Sequence, residues 1–218
     1  MRTQAVEDYL KVIFDLSRGT DAVSTSALSA RLGVAPGTVT GMVKKLATLN
    51  LVTHEHYRGV ALTDAGKKIA LEVVRHHRLV EQYLFEAMGV PWDQVHAEAE
   101  KWEHVLSEEL EDRMDQILGN PTTDPHGSPI PTRDLQIEEL DCLRLSELAA
   151  GQRGTVAEVG DEDASMLRYF ADLGLYPETS VEVVSVAPFD GPLTLLVDGR
   201  SQSIGRPAAE HIYITNVE

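Results

Sequence analysis

Apolar residues recur at helical spacing through the first part of the chain. Val6, Leu10, Ile13 and Phe14/Leu16 put one stripe on a segment from Thr3 to Arg18, which Gly19 stops. Ser24 or Thr25 can cap a short helix over Ser26–Leu32, closed by Gly33. Pro36 suits the first turn of a third helix, which runs through Val39, Met42, Val43 and Leu46 to Leu49. Alternation then replaces the helical period. Leu51–Glu55, a turn at Tyr57-Arg58-Gly59 and Val60–Leu62 read as strand, tight turn, strand. Two short helices joined at Gly33 and followed by a hairpin predict a winged helix-turn-helix.

Thr63-Asp64 then cap a long helix reaching about Met88 and ending at Gly89. Pro91 opens a second long helix to Leu118, stopped by Gly119-Asn120-Pro121. Two such helices behind a small DNA reader suit pairing of subunits. Asn120–Asp134, rich in Pro, Gly, Thr and Asp, reads as a linker. After it come short β-rich runs at Gly154–Val159, Ser180–Ala187, Leu193–Val197, Ser201–Ile204 and Ile212–Val217, with a helical Asp163–Gly174 between them. Strands at this spacing predict a small barrel. The expected fold class is mainly α with a β C-terminal domain. Its parts are a winged helix-turn-helix at 1–63, a helical dimerisation domain at 64–119, a proline-rich linker at 120–141 and the β domain at 142–218.

Charge changes the picture of the reading domain. The chain carries a formal net charge of −16, but residues 1–78 sum to +4 and residues 79–218 to −20. A locally basic field is what phosphate contact needs. Thr25, Pro36, Gly37, Thr38, Thr40, Lys44 and Lys45 on the helix-turn-helix, with Arg58 at the wing tip, are the candidate DNA contacts. A single cysteine, Cys142, excludes a disulfide framework and a cysteine-rich zinc finger. No apolar run is long enough to cross a bilayer, and no leader is evident, so a cytoplasmic protein is expected.

The candidate chemistry lies on the two long helices. His77 and Glu81 stand at i,i+4, and His96, Glu100, Glu103 and His104 at i, i+4, i+7 and i+8. Each set shares roughly one helix face. A lone His–Glu pair at this spacing is usually a surface ion pair, but six such residues on adjacent helices point to a metal. Imidazole with carboxylate suits Mn(II), Fe(II), Co(II) or Zn(II). His54, His56 and His76 read as surface residues or supports, His126 as linker, Tyr9 and Trp102 as core aromatics, and Cys142 as inert.

Val6-Glu7-Asp8-Tyr9-Leu10, the helix-turn-helix, Arg75-His76-His77-Arg78-Leu79-Val80-Glu81 and Lys101-Trp102-Glu103-His104-Val105-Leu106-Ser107 resemble the diphtheria toxin repressor family. So do His126-Gly127-Ser128-Pro129-Ile130-Pro131 and, near the C-terminus, Leu167-Arg168-Tyr169-Phe170 and Leu173-Gly174-Leu175. That family comprises bacterial iron- and manganese-dependent transcriptional repressors, and its longer members end in an SH3-like domain. The resemblance covers essentially the whole chain. It implies a primary metal site at Asp8, Glu100, Glu103 and His104. It also implies an ancillary site at His77, Glu81 and His96, with Glu158 and Asp161 from the SH3-like domain. A homodimer on a pseudo-palindromic double-stranded DNA operator follows, with one or two dimers per operator both open.

The departures are informative. Iron-responsive members have a methionine and a cysteine where this chain has Asp8 and Glu100. Carboxylate in place of sulfur favours Mn(II) over Fe(II), with Co(II), Ni(II), Zn(II) or Cd(II) as substitutes in vitro. Compact manganese regulators carry a second carboxylate one turn after the aspartate, where this chain has Lys11, so the two-site arrangement is preferred. Gly41 stands where the iron repressor has a base-contacting glutamine.

Physics supplies a switch. Carboxylates of Asp8, Glu100 and Glu103 brought together repel by roughly 4 kcal/mol per pair at ~4 Å and an effective dielectric near 20. A divalent ion reverses that sign and ties the first helix down. A coupling of about 1–3 kcal/mol is enough to regulate DNA binding. The expected function is a metal-activated repressor of metal-uptake genes and not an enzyme. A dinuclear metalloenzyme is the alternative from another class, weakened because no general base or oxyanion group remains.

Overall fold

The computed structural model describes residues 3–18, 20, 22–55, 59–138 and 141–218. It forms two compact units. One comprises Met1–His77, Trp102–Leu106 and Pro131–Gln136; the other comprises Arg78–Lys101, Ser107–Ile130 and Ile137–Glu218.

The first unit opens with α1 (Gln4–Leu16), α2 (Thr25–Leu32) and α3 (Pro36–Thr48), then β1 (Val52–Glu55) and β2 (Gly59–Leu62). Local chemistry fixes each boundary. Ser24, not Thr25, caps α2 by accepting from the Ala27 N–H, and Gly33 ends it in the left-handed conformation. Pro36 occupies the first turn of α3. The hairpin pairs Val52 with Leu62 and Glu55 with Gly59, and Val23 bridges to Val60. Val6, Leu10, Ile13, Leu28, Val39, Val43, Leu46 and Val60 are buried together. This is the winged helix-turn-helix that the periodicity predicts. The wing tip with Arg58, and His56, lies outside the described residues.

The long helix α4 (Asp64–Glu86) starts where Thr63 accepts from the Gly66 N–H. The second long helix does not run unbroken. It is α5 (Val95–Trp102) and α6 (Glu108–Ile117), separated by a turn. Ser107 caps α6 by accepting from the Leu110 N–H, and three acidic residues sit in that helix's first turn. The preceding Glu103 carbonyl, left without a helical donor, accepts from His76 Nδ1–H at 3.0 Å.

The second unit is built on a six-stranded antiparallel sheet. Its strands are β3 (Leu143–Arg144), β4 (Arg153–Val159), β5 (Ser180–Val186), β6 (Leu193–Val197), β7 (Arg200–Ile204) and β8 (Ile212–Thr215), in the order β3-β8-β4-β5-β6-β7. The expected barrel is not closed: among the described residues the two terminal strands do not pair with each other. Register shifts at Val156/Glu158 and Val183/Ser185 bend the sheet. The helix α7 (Ala164–Leu173), capped by Asp163 and ended by Gly174, adds Leu167 and Phe170 to the core with Leu175, Val183, Leu193, Leu195, Ile212 and Ile214. A short α8 (Arg206–Ala209) precedes β8.

The segment expected as linker is packed where it meets this sheet. His126, Gly127, Ser128 and Ile130 are buried. The Val159 N–H donates to the His126 carbonyl at 2.9 Å, and Ser128 Oγ donates to Glu158 at 2.7 Å. Gly127 sits at φ +91°, and a Cβ there would lie 2.0 Å from the Ala157 carbonyl oxygen, so β4 demands glycine. Arg78 anchors the same strap by donating to the Pro129 carbonyl at 2.5 Å.

Candidate metal centre

The break after α5 shapes the first cluster. Glu103 and His104 stand on the turn instead of a helix face, and they meet Glu7 and Asp8 of α1. His104 Nδ1–H donates to Glu7 Oε2 at 2.6 Å. That bond fixes the ring proton on Nδ1 and leaves the Nε2 lone pair facing the other side. There, Asp8 Oδ1 lies 2.8 Å and Glu103 Oε1 3.3 Å from Nε2. Neither His104 Nε2 nor Glu103 Oε1, both buried, makes a hydrogen bond of proper geometry. Two carboxylates and an imidazole with orphaned buried donor atoms fit a first-row divalent ion.

Glu103 also reaches the other way. Its Oε2 accepts a short hydrogen bond from His77 Nδ1 and a second, at 2.7 Å, from Lys11 Nζ. Lys11 Nζ lies 3.0 Å from His77 Nδ1 as well. The repulsion expected between Asp8 and Glu103 is therefore offset within the protein: α1 is docked, with an ammonium next to the carboxylates. Glu7, just before Asp8, and Lys11, one turn after it on α1, are neighbours of this cluster; the sequence pattern does not single out Glu7.

A second cluster gathers residues of the other unit. Glu81 Oε1 and Asp161 Oδ2 stand 3.1 and 3.2 Å from His96 Nδ1. Burial pushes the His96 imidazole down, but the carboxylates of Asp161 and Glu81 outweigh it and raise the ring to about 10. Asp161 Oδ2 also lies 3.9 Å from Nδ1 of His126, a residue the sequence places in a linker. His126 Nε2–H donates to the Trp92 carbonyl at 3.0 Å, so its buried Nδ1 keeps a lone pair and has no hydrogen-bond partner. Asp124 adds a buried carboxylate: Oδ1 accepts from the His126 and Ser128 N–H groups. Burial, together with the charges of Glu81, Asp161 and Glu158, pushes that carboxyl well above its usual range against the pull of Arg78. Asp124 and His126 share a possible ligand group with Glu81.

Glu100, expected in the first set, is half exposed, and its carboxylate stands 3.9 Å from His96 Nε2 one turn away. Of the two residues expected from the C-terminal domain, Asp161 reaches His96, whereas Glu158 holds Ser128. His77, expected in the second set, is bonded to Glu103.

Six of the eight DNA-contact candidates fall on α3. Pro36, Gly37, Thr38, Thr40, Lys44 and Lys45 of α3 are exposed, while Thr25 is half-buried at the start of α2. The Thr40 hydroxyl donates to the Pro36 carbonyl. A cavity of about 520 Å³ in the same unit is lined by Asp8 and Tyr9 of α1 and by Thr38, Met42 and Lys45 of α3. Asp8 thus borders the first cluster on one side and the reading helix on the other.

Comparisons agree with this layout. Residues 1–60 match the iron dependent repressor, N-terminal DNA binding domain; residues 63–132 match its metal binding and dimerisation domain; residues 143–216 match the FeoA domain. The chain is 33% identical over 205 residues to the iron-dependent repressor IdeR of Mycobacterium tuberculosis, covering 88% of each. It is 34% identical over 216 residues to the diphtheria toxin repressor of Corynebacterium efficiens, covering 91% of this chain and 93% of that one. Among solved structures, a manganese-dependent transcriptional repressor in complex with manganese superposes with a TM-score of 0.91 at 40% identity, over 96% of this chain and 98% of the other. The members are metal-dependent repressors, so the metalloenzyme alternative falls away. A winged reader, a dimerisation segment bearing the histidine–carboxylate clusters and a C-terminal FeoA sheet occur here in the order found in those proteins, and the chain belongs to the iron-dependent (diphtheria toxin) repressor family.

Proposed function

We propose that the chain is a Mn(II)-activated repressor of metal-uptake and homeostasis genes, acting in the cytoplasm as a homodimer on a pseudo-palindromic operator. One observation carries the reading. Asp8, Glu103 and His104 present oxygen and nitrogen atoms alone, with no sulfur, at the contact between α1 and the 103–107 turn. Hard oxygen donors suit Mn(II). A divalent ion there supplies the positive charge that holds Asp8 to His104 and Glu103. Glu7 keeps the imidazole aimed, and α1, packed through Val6, Leu10 and Ile13, passes the position of Asp8 to the reading helix. Glu81, His96 and Asp161, with Asp124 and His126 adjoining, form the second set. The resemblance adds Glu100 to the first set and His77 and Glu158 to the second; Ser128 Oγ donates to one oxygen of Glu158. In this reading Thr38, Lys44, Lys45 and the wing carry the DNA contacts. No helix among the described residues is long and apolar enough to cross a membrane.

Fe(II) response is the second reading, favoured by the 33% identity to a protein named iron-dependent repressor. Operator binding titrated at buffered free Mn(II), Fe(II), Co(II) and Zn(II) separates the two. Half-saturation with Mn(II) in its physiological free range, lost with chelator, supports the proposal. Activation by Fe(II) alone in its own range selects the second reading, and binding indifferent to every ion overturns both.

A further inference from the structure

The carbonyl of Glu103 belongs to the peptide that joins two neighbouring ligand candidates, Glu103 and His104. In an unbroken helix it would accept from the N–H four residues on, that of Ser107. Here Ser107 is extended, at φ −86° and ψ 152°, and the turn is closed by the Val105 N–H on the Trp102 carbonyl at 3.0 Å. The Glu103 carbonyl is left to His76 of α4, whose Nδ1–H donates to it at 3.0 Å. Both residues are buried, so without that donor the carbonyl would stand unsatisfied away from water. The next residue, His77, holds the Glu103 carboxylate at Oε2. Two successive positions of α4 thus grip one residue, the first by its backbone and the second by its side chain. His76, His77, Glu103, His104 and α1 all belong to the first unit.

We propose that His76 is a positioning residue of the metal centre: through the Glu103 carbonyl it sets the plane of the 103–104 peptide, and with it the aim of both Glu103 and His104 at Asp8. The inference rests on the reading of Asp8, Glu103 and His104 as metal ligands and deepens it. A peptide is planar, so one fixed carbonyl settles a rotation shared by the two residues it joins. That rotation brings Glu103 Oε1 to 3.3 Å from His104 Nε2, with Asp8 Oδ1 2.8 Å from the same nitrogen. On an unbroken helix the side chains of consecutive residues diverge by about 100°, and these two atoms would not face one position. Glu7 orients the imidazole about its own bonds, whereas His76 acts one level lower, on the backbone that carries it.

The test is Mn(II) binding to the full-length chain by equilibrium dialysis, with electron paramagnetic resonance on the same samples. Asp8→Asn should lose one ion, which identifies the ion of this centre; no loss overturns the ligand reading and the proposal with it. Given that loss, His76→Phe keeps a ring in place and removes the donor. It should weaken the Asp8-dependent ion about 10-fold or more and alter its spectrum, while any ion that survives Asp8→Asn keeps its affinity. Equal weakening of every ion marks a merely structural role and overturns the proposal. His76→Asn, which offers an N–H at the place of Nδ1, should bring affinity and spectrum back toward wild type. Wild-type affinity for the Asp8-dependent ion in folded His76→Phe overturns the proposal, as does His76→Asn as weak as His76→Phe. One measurement needs no variant: long-range proton–nitrogen correlation spectra of the wild-type chain should show the His76 proton on Nδ1. A ring protonated on Nε2 alone overturns the proposal whether or not any variant folds.

Discussion

Glu7 Oε2 and His104 Nδ1 lie 2.6 Å apart, across 97 positions of sequence. The carboxylate takes the proton-bearing side of the ring, so His104 can turn only Nε2 to Asp8 and Glu103. Orientation by a carboxylate partner raises ligand basicity and fixes the tautomer. Glu7→Gln, which can still accept a hydrogen bond, should weaken Mn(II) binding less than Glu7→Ala. The alanine variant should lose roughly 10–100-fold in affinity. Equilibrium titration of the two variants checks the order, and equal affinities across wild type, Gln and Ala would remove Glu7 from the centre.

His96 gives a pH dependence with a definite sign. Its ring, raised to about 10 from the ordinary 6.5, is protonated at neutral pH in the metal-free protein. A raised histidine stabilises the fold fully below its unfolded value and loses that contribution as pH climbs through the folded value. The metal-free melting temperature should therefore fall between about pH 6.5 and 10, and less so in His96→Gln. An ion that takes His96 as ligand must displace the proton. Calorimetry in buffers of different ionisation enthalpy should find about one proton released per ion at this cluster near pH 7.5, and none there in His96→Gln.

The strap at 123–130 tests how tightly the former linker is built in. Gly127→Ala must place a Cβ at 2.0 Å from the Ala157 carbonyl oxygen, at a φ that alanine resists. A loss of about 2–4 kcal/mol of stability is expected from the combined clash and strain. Differential scanning calorimetry measures it. A neutral result would mean that the contact between the strap and β4 does not persist in solution.

These same residues show where sequence reading stops. The stripes of Val6, Leu10 and Ile13, and of Val39, Val43 and Leu46, are local, so α1 and α3 were legible from spacing alone. The break at Glu103–Ser107 was not. The heptad-like run of ligands continues through it, and one half of the stop is a long-range bond from His76. Ser107 was a readable cap that the longer period hid. His126 was missed for a different reason. A histidine among Pro, Gly and Asp reads as surface, and only the packing of the strap on β4 and under Trp92 buries it. Strand positions were legible from alternation, but whether the sheet closes depends on which strands end it, and no single-strand pattern records that. For the metal clusters, spacing located the helix ligands. Glu7 and Lys11 acquire their roles only through the partners they meet across the fold.

Lys45 separates phosphate contact from base reading. It is exposed near the C-terminal end of α3. Lys45→Ala should weaken binding to operator and to unrelated DNA by a similar factor. It should also flatten the dependence of log affinity on log salt by about 0.9 if one phosphate contact is lost. An unchanged slope would place Lys45 outside the interface.

Gly41 allows a test in which stability and function move in opposite directions. It lies inside α3 at a helical φ, exposed, and a Cβ built on it meets nothing within 4 Å. Gly41→Ala should therefore stabilise the free protein by about 0.5–1 kcal/mol, since alanine loses less backbone freedom in a helix. If α3 enters the major groove with this face, the added methyl group meets base edges or thymine methyls in a space the glycine keeps open. Operator affinity should then fall, while nonspecific affinity, set by phosphate contacts, stays near wild type. Gel-shift titration at fixed salt and saturating Mn(II), paired with thermal melts of the free protein, reads both quantities. A stabilised variant with undiminished operator affinity would turn this face of α3 away from the bases.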